Sequence, residues 1–296
     1  MIRIAVLSGK GGTGKTVLTA ALATLASPPV ILADCDVDAA NLQFLLSATV
    51  VRKEPFFGMK KAEIDVSRCV LCGGCLCSCR FGALSMDDST SIKVNPIRCE
   101  GCAACTQVCP ENAIRMVQQK DGEIICSDTP YGRLYYAELE PGSGNSGLLV
   151  YEVKKRALAD CTDNTLLLID GPPGIGCPVI STLSGVDGVI AVTEPSVSGL
   201  HDLRRLMVLV RGFDLRIFVV INKYDLDPEI TANIEQFCQS EGMKVLGRIP
   251  YDPGVYRSVQ DGAPVMEYQI PAADAMRRVW HAAKEQMNMK TGDLPR

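Results

Sequence analysis

Eight residues near the N-terminus constrain this chain most. Gly9-Lys10-Gly11-Gly12-Thr13-Gly14-Lys15-Thr16 has the spacing G-x-x-x-x-G-K-[ST]. An apolar run from Ile2 to Ser8 precedes it, and Val17, Leu18, Ala21, Leu22 and Leu25 follow at helical spacing. In a strand–turn–helix context, the glycines let backbone N–H groups turn inward around phosphate oxygens. The helix N-terminus adds its positive dipole end. Lys15 would then reach the β/γ-phosphates and the Thr16 hydroxyl would bind Mg²⁺. Gly11, Gly12, Thr13, Gly14, Lys15 and Thr16 are therefore the candidate phosphate-contact residues. Pro28 and Pro29 end the helix, and Val30 to Ala33 form a second apolar strand ending at Asp34. This βαβ order predicts an α/β fold, a mostly parallel sheet flanked by helices.

The alternation then breaks. From about Lys60 to Val117 the chain is rich in cysteine and repeats itself after 30 residues, Cys69 matching Cys99. Each unit reads Cys-x2-Cys-x2-Cys-x3-Cys: Cys69, Cys72, Cys75, Cys79, then Cys99, Cys102, Cys105, Cys109 followed by Pro110. The chain holds 14 cysteines, and in a reducing compartment these read as metal ligands rather than disulfides. Zinc sites typically use two separated pairs; two strings of four at this spacing instead resemble the bacterial two-cluster ferredoxins. In those, the fourth cysteine of each run ligates the other cluster. The resemblance implies one [4Fe–4S] cluster on Cys69, Cys72, Cys75 and Cys109, and a second on Cys99, Cys102, Cys105 and Cys79. Arg80 stands where the family has proline, leaving the ligand count intact. The extra thiol Cys77 reads as a small packed residue, with an alternative cluster ligand as the second reading.

Beyond a connector over 119–150 the α/β pattern resumes. Helices are expected at 148–159, 199–210, 228–241 and 272–287, and strands at 165–170, 188–193, 216–222 and 244–249. The sheet domain is thus expected to be discontinuous: residues 1–59 and 119–296 form it, and a small α+β ferredoxin-like domain at 60–118 is inserted.

With Lys10 ahead of Lys15, the phosphate loop resembles the deviant Walker A loop of the MinD/ParA class of ATPases. That class also contains the nitrogenase iron protein and the Mrp-type iron–sulfur carriers. The resemblance implies ATP/ADP and Mg²⁺ as ligands. It implies a nucleotide-dependent homodimer, or a heterodimer with a related chain, in which Lys10 reaches the partner's nucleotide. Asp34-Cys35-Asp36 resembles switch I, with Asp36 orienting the attacking water. The apolar strand ending Asp170-Gly171-Pro172-Pro173-Gly174 resembles Walker B and switch II, with Asp170 holding the Mg²⁺ shell. Asn222 resembles the base-reading position, with a donor and an acceptor suited to an adenine edge. Asp225 completes N-K-x-D, a guanine-reading sequence elsewhere, which leaves the base open. Pro250 and the residues around it resemble the adenine-side loop.

Lys plus Arg is 30 and Asp plus Glu is 34, so no basic excess exists to bind nucleic acid. No uncharged apolar run of about 18 residues suggests a membrane span. The N-terminus reads as a strand and not a signal peptide, so a cytoplasmic location is expected. Cys35, Cys126, Cys161 and Cys238 read as packing residues, and His201 and His281 as helix surface. Arg204 and Arg205 read as a solvated face. Cys177, just past switch II, is a candidate redox or interface thiol. The last helix carries an apolar stripe expected to pack on the sheet. Together these features imply an ATPase coupling nucleotide state to electron transfer through two clusters to a partner protein. The alternatives are an iron–sulfur or metallocluster assembly or carrier ATPase, and a redox-sensing MinD-like adaptor.

Overall fold

In the computed structural model, residues 1–27, 29–87 and 90–287 are described. Pro28, expected to help end the first helix, lies outside them. The chain begins β1 (Ile2–Ser8), α1 (Lys15–Leu25), β2 (Val30–Asp34), α2 (Leu42–Leu45) and β3 (Thr49–Phe57). The cysteine-rich stretch gives β4 (Lys61–Ile64), α3 (Gly74–Ser78), β5 (Leu84–Asp87), β6 (Ser91–Val94), α4 (Ala104–Gln107) and β7 (Ile114–Val117). Next come β8 (Lys120–Thr129), β9 (Gly132–Leu139), α5 (Ser146–Ala159), β10 (Leu166–Pro173), α6 (Cys177–Leu183) and β11 (Gly188–Thr193). The chain continues with α7 (Val197–Arg211), β12 (Arg216–Asn222), α8 (Pro228–Ser240), β13 (Lys244–Ile249), α9 (Pro253–Gln260) and α10 (Pro271–Gln286).

Two units result. The first holds Met1–Glu54, Ile124–Glu138 and the chain from Ser146 onward; the second holds Pro55–Glu123 and Leu139–Asn145.

The first unit is built on a nine-stranded sheet of order β13-β12-β11-β1-β10-β2-β9-β8-β3. The pairs β13–β12, β12–β11, β11–β1, β1–β10, β10–β2 and β2–β9 are all parallel. Its central strands are covered on both faces, so they read as unbroken apolar runs; Leu166 through Ile169 and Val189 through Val192 are buried throughout. The apolar stripe of α10 packs into this core, where Met276, Val279, Trp280 and Ala283 are buried and Trp280 Nε1–H donates to the Leu25 carbonyl at 3.0 Å. Among the described residues no helix is long and apolar enough to cross a membrane.

β8 and β9 replace the connector expected over 119–150. Their turn brings Gly132 so close to β2 that a Cβ there would lie 2.1 Å from the Val30 carbonyl oxygen, at a φ of +148°. Only glycine fits this junction.

The second unit pairs β4 with β7 and β5 with β6, both antiparallel. Its halves match at the 30-residue offset. Asp65 N–H donates to the Ala113 carbonyl and Asn95 N–H to the Ala83 carbonyl, each at 2.7 Å. Ala62, Cys75, Ala83, Ile92, Cys99, Cys105 and Ile114 form its core.

Candidate functional site

The phosphate loop sits at the C-terminal end of β1, between β10 and β11, where strand order reverses and α/β sheets open a crevice. Gly14 has φ +91°, and a Cβ there would lie 2.4 Å from Asn222 Nδ2. Glycine is therefore required on both counts. Asn222, at the end of β12, donates to the Thr13 carbonyl at 2.8 Å and ties its strand to the loop. Lys15 opens α1 and is buried.

Asp170 is fully buried beside them. Its Oδ1 accepts from the Thr19 hydroxyl at 3.2 Å, while Oδ2 has no hydrogen-bond partner. Burial pushes its pKa up to about 6, against the pull of the Thr16 hydroxyl, the Lys15 charge and Thr19. The buried Thr13 hydroxyl is also unpartnered. An orphaned carboxylate oxygen this close to a threonine hydroxyl and a lysine is a donor set that suits Mg²⁺ and phosphate.

β2 pairs with β10 so that Asp34 lies in register with Asp170. The buried Asp34 carboxylate accepts backbone N–H bonds from Asp36 at 3.1 Å and from Asn41 and Leu42 at 3.0 Å. Burial raises its pKa, the Asp170 charge adds to that, and the three N–H donors oppose it. Asp34 thus pins the loop that carries Asp36. Burial also raises the pKa of Asp36, with the Lys15 charge opposing it. The sequence reading singled out Asp36 and passed over Asp34, although the Asp-x-Asp spacing held the signal.

Lys10 turns back onto its own chain. Its Nζ lies 2.6 Å from Glu194 Oε1 and donates to the hydroxyls of Ser196 and Ser198, each at 3.1 Å. Lys223 Nζ meets the other Glu194 oxygen at 3.2 Å and the Gly12 carbonyl at 3.3 Å. Burial pushes the Glu194 carboxyl up, but Lys10 and Lys223 outweigh that and hold it below the usual range. Sequence reasoning missed Glu194, Ser196 and Ser198, and read Lys223 only as part of N-K-x-D, because the contacts span up to 211 residues. Asp225, the acid of N-K-x-D, accepts the Tyr251 N–H at 2.6 Å through Oδ1, next to the half-buried Pro250.

The cysteine arrays surround two cavities. One is lined by Cys79, Cys99, Cys102 and Cys105 among apolar groups such as Ala62, Phe81 and Val94. The other is lined by Cys69, Cys72, Cys75 and Cys109 with Ile64, Ile92 and Ile114. Each cavity therefore takes three cysteines from one array and the last from the other. Among the described residues no three His, Cys, Asp or Glu side chains converge to hold a single metal ion. Left-handed backbone at Leu71 and Gly73 is matched by Gly101 and Ala103. Ala83 and Ala113 donate N–H to Cys79 Sγ and Cys109 Sγ at 3.4 and 3.3 Å. Thiols gathered four to a cavity, with N–H donors on sulfur, suit a cluster as donor chemistry.

Cys77 is exposed, contrary to the packed role expected. On α3 it stands two residues from Cys75, which puts the two on opposite helix faces. Cys35, Cys126 and Cys238 are buried, and Cys161 Sγ donates to the Ala157 carbonyl at 3.3 Å. Cys177 is exposed as the first residue of α6. His201 and His281 are exposed, and the Arg204 guanidinium lies over the Phe237 ring.

A family model described as the CobQ/CobB/MinD/ParA nucleotide binding domain matches residues 4–265. An uncharacterized protein of Methanocaldococcus jannaschii is 31% identical over 287 residues, 96% of this chain and 97% of its own. The iron-sulfur cluster carrier protein of Pyrococcus abyssi is 25% identical over 98% of this chain and 88% of its own. Among solved structures, the septum site-determining protein MinD with Mg-ADP from Pyrococcus horikoshii superposes with a TM-score of 0.58 at 20% identity, covering 98% of both chains. The chain belongs to the CobQ/CobB/MinD/ParA nucleotide-binding family.

Proposed function

We propose that this chain is an ATP-hydrolysing switch that couples its nucleotide state to electron transfer, through two [4Fe–4S] clusters, to a partner protein. The observation that carries the reading is the pair of cysteine cavities, each lined by four thiols drawn three and one from the two arrays. When bound, the clusters supply one-electron relay chemistry; Cys69, Cys72, Cys75 and Cys109 would hold one, and Cys79, Cys99, Cys102 and Cys105 the other. At the phosphate loop, Gly11 to Thr16 wrap the triphosphate, and Lys15 offsets charge at the transferred phosphoryl group. Thr16 and Asp170 would hold Mg²⁺, which would supply compensation for the negative charge of the phosphates. Asp36, its loop fixed by Asp34, positions the attacking water. Asn222 and Pro250 frame the base. Lys10 acts from the second copy of a dimer closed by ATP, and the moving switches transmit that closure.

A second reading is an iron–sulfur carrier, in which a cluster is cargo. The specific observation in its favour is the near full-length similarity to the Pyrococcus abyssi carrier protein.

The test is anaerobic purification with iron and sulfide analysis, then ATPase assay with and without Lys15→Ala. The reading expects about eight iron atoms per chain, ATPase lost in Lys15→Ala, and iron retained there. A chain without iron and sulfide sinks the cluster half, and ATPase surviving Lys15→Ala sinks the phosphate-site half. Retained clusters on incubation with an iron-free acceptor favour electron transfer; their transfer favours the carrier.

A further inference from the structure

Because the second unit repeats after 30 residues, most residues around one cysteine cavity have a counterpart around the other. Ala62 lines the cavity of Cys79, Cys99, Cys102 and Cys105, and its counterpart Ile92 lines the cavity of Cys69, Cys72, Cys75 and Cys109. The left-handed positions and the Ala83 and Ala113 N–H bonds to sulfur match as well. One pair breaks this equivalence electrically. Lys61 opens β4, and its counterpart Ser91 opens β6.

Lys61 is only 5% exposed, and its Nζ donates to the Cys99 carbonyl at 2.7 Å. The next residue, Ala62, directs its N–H at Cys99 Sγ from 3.5 Å. A Cβ on Gly101 would lie 2.5 Å from the Lys60 carbonyl oxygen, so the start of β4 is pressed against the Cys99–Cys105 loop. An ammonium is thereby fixed, out of water, on the backbone of a cysteine lining one cavity, and the sequence has an uncharged serine at the matching position of the other half. The remaining charges near the loops, Arg68, Arg80, Arg98, Glu100 and Glu111, are exposed and screened by solvent. Asp121, the other buried charge among the described residues of this unit, accepts the Gly58 N–H at 3.1 Å and the Ser143 hydroxyl.

We propose that Lys61 splits the potentials of the two clusters. Its ammonium stabilises the negative charge added on one-electron reduction at the Cys79, Cys99, Cys102 and Cys105 site. This raises that site's potential above its pseudosymmetric neighbour's. An electron delivered by a low-potential one-electron donor then comes to rest at the Lys61 end of the relay. The inference rests on the reading of the cysteines as cluster ligands.

The experiment is a dithionite titration of the anaerobically prepared full-length chain, followed by EPR against a potential scale. The wild-type chain should show two midpoints. Cys105→Ser should remove the higher one, and Cys109→Ser the lower. Lys61→Gln should cut the reduced-to-oxidised ratio of the higher site about tenfold at fixed potential, about 59 mV for one electron. It should leave the lower site in place, and Lys61→Arg should keep most of the wild-type value. One shared midpoint in the wild type, loss of the lower midpoint in Cys105→Ser, an unmoved Lys61→Gln, or equal shifts in Lys61→Gln and Lys61→Arg each overturn the proposal. If Lys61→Gln does not retain iron, Lys61→Met carries the same test, and one shared midpoint in the wild type still overturns the proposal. A wild-type preparation lacking iron and sulfide instead overturns the cluster reading beneath it.

Discussion

Lys10 and Glu194 form an ion pair at 2.6 Å within one chain, although they lie 184 residues apart. If Lys10 acts across a dimer, this pair must open first, so Glu194 is a latch on the resting form. Both partners are partly exposed, and such pairs are worth about 1 kcal/mol or less.

Glu194→Gln should therefore favour ATP-driven self-association by several-fold, no more than about tenfold, and raise ATPase at low protein concentration. Lys223 loses a partner in the same variant, so Lys223→Met serves as the control. Sedimentation with a non-hydrolysable ATP analogue checks this; an unchanged dimer fraction would show that Glu194 does not restrain Lys10.

A stability prediction follows from Asp170. Its folded pKa, about 6, lies above the ordinary 3.8. The folded chain thus holds this proton more tightly than the unfolded one, and stability falls as pH rises from about 4 to about 6. Asp34 contributes in the same direction. Nucleotide-free Asp170→Asn should melt higher than wild type at pH 7, by on the order of 3 kcal/mol at most, with the gain vanishing near pH 4. It should also lose Mg²⁺-dependent ATP turnover. Melting curves at stepped pH decide, and an Asp170→Asn chain no more stable at pH 7 would contradict the burial argument.

Lys154 on α5 donates its buried ammonium to the carbonyls of Ser181, Thr182 and Ser184, each at 2.7 Å. These are the open carbonyls at the end of α6, the helix that follows the Asp170 strand. Lys154→Met leaves three acceptors without this donor and should cost roughly 2–4 kcal/mol. Burial lowers the Lys154 pKa to about 8. This folded value lies below the unfolded one, so the wild-type chain is relieved of that cost as pH rises through about 8 to 10.5, and the gap between wild type and Lys154→Met should widen there. Urea unfolding at pH 7 and pH 9.5 measures both effects.

What the sequence made legible was whatever is written locally. The phosphate loop, the Asp170 strand and the cysteine spacing are short runs whose geometry follows from adjacent residues. The strands β11, β12 and β13 were legible to the residue; β11 and β12 are apolar runs closed by a polar residue, and β13 is stopped by Pro250. β3 was not, since seven of its nine residues are exposed and no apolar alternation marks it. β8 and β9 hid behind the flanking Asp, Gly and Pro residues, and their burial comes from the sheet rather than from a period-two pattern. Glu194 and Lys61 were illegible as working residues for one shared reason. Each matters through a partner or a cavity that the fold supplies, and a charged residue in a string gives no sign that it will be buried.

The shared lining of the cysteine cavities can be tested by pairs of substitutions. If each cavity holds one cluster, removing two ligands of the same cavity costs one cluster, and removing one from each costs both. Cys69→Ala with Cys109→Ala alters only the cavity of Cys69, Cys72, Cys75 and Cys109, although the two residues belong to different arrays. That variant should keep about four of about eight iron atoms. Cys99→Ala with Cys109→Ala alters both cavities, although both residues belong to one array. It should keep almost none, with the EPR signals of both sites gone. Ligation confined within each array would invert the pattern, because the first pair would then strike both clusters and the second only one.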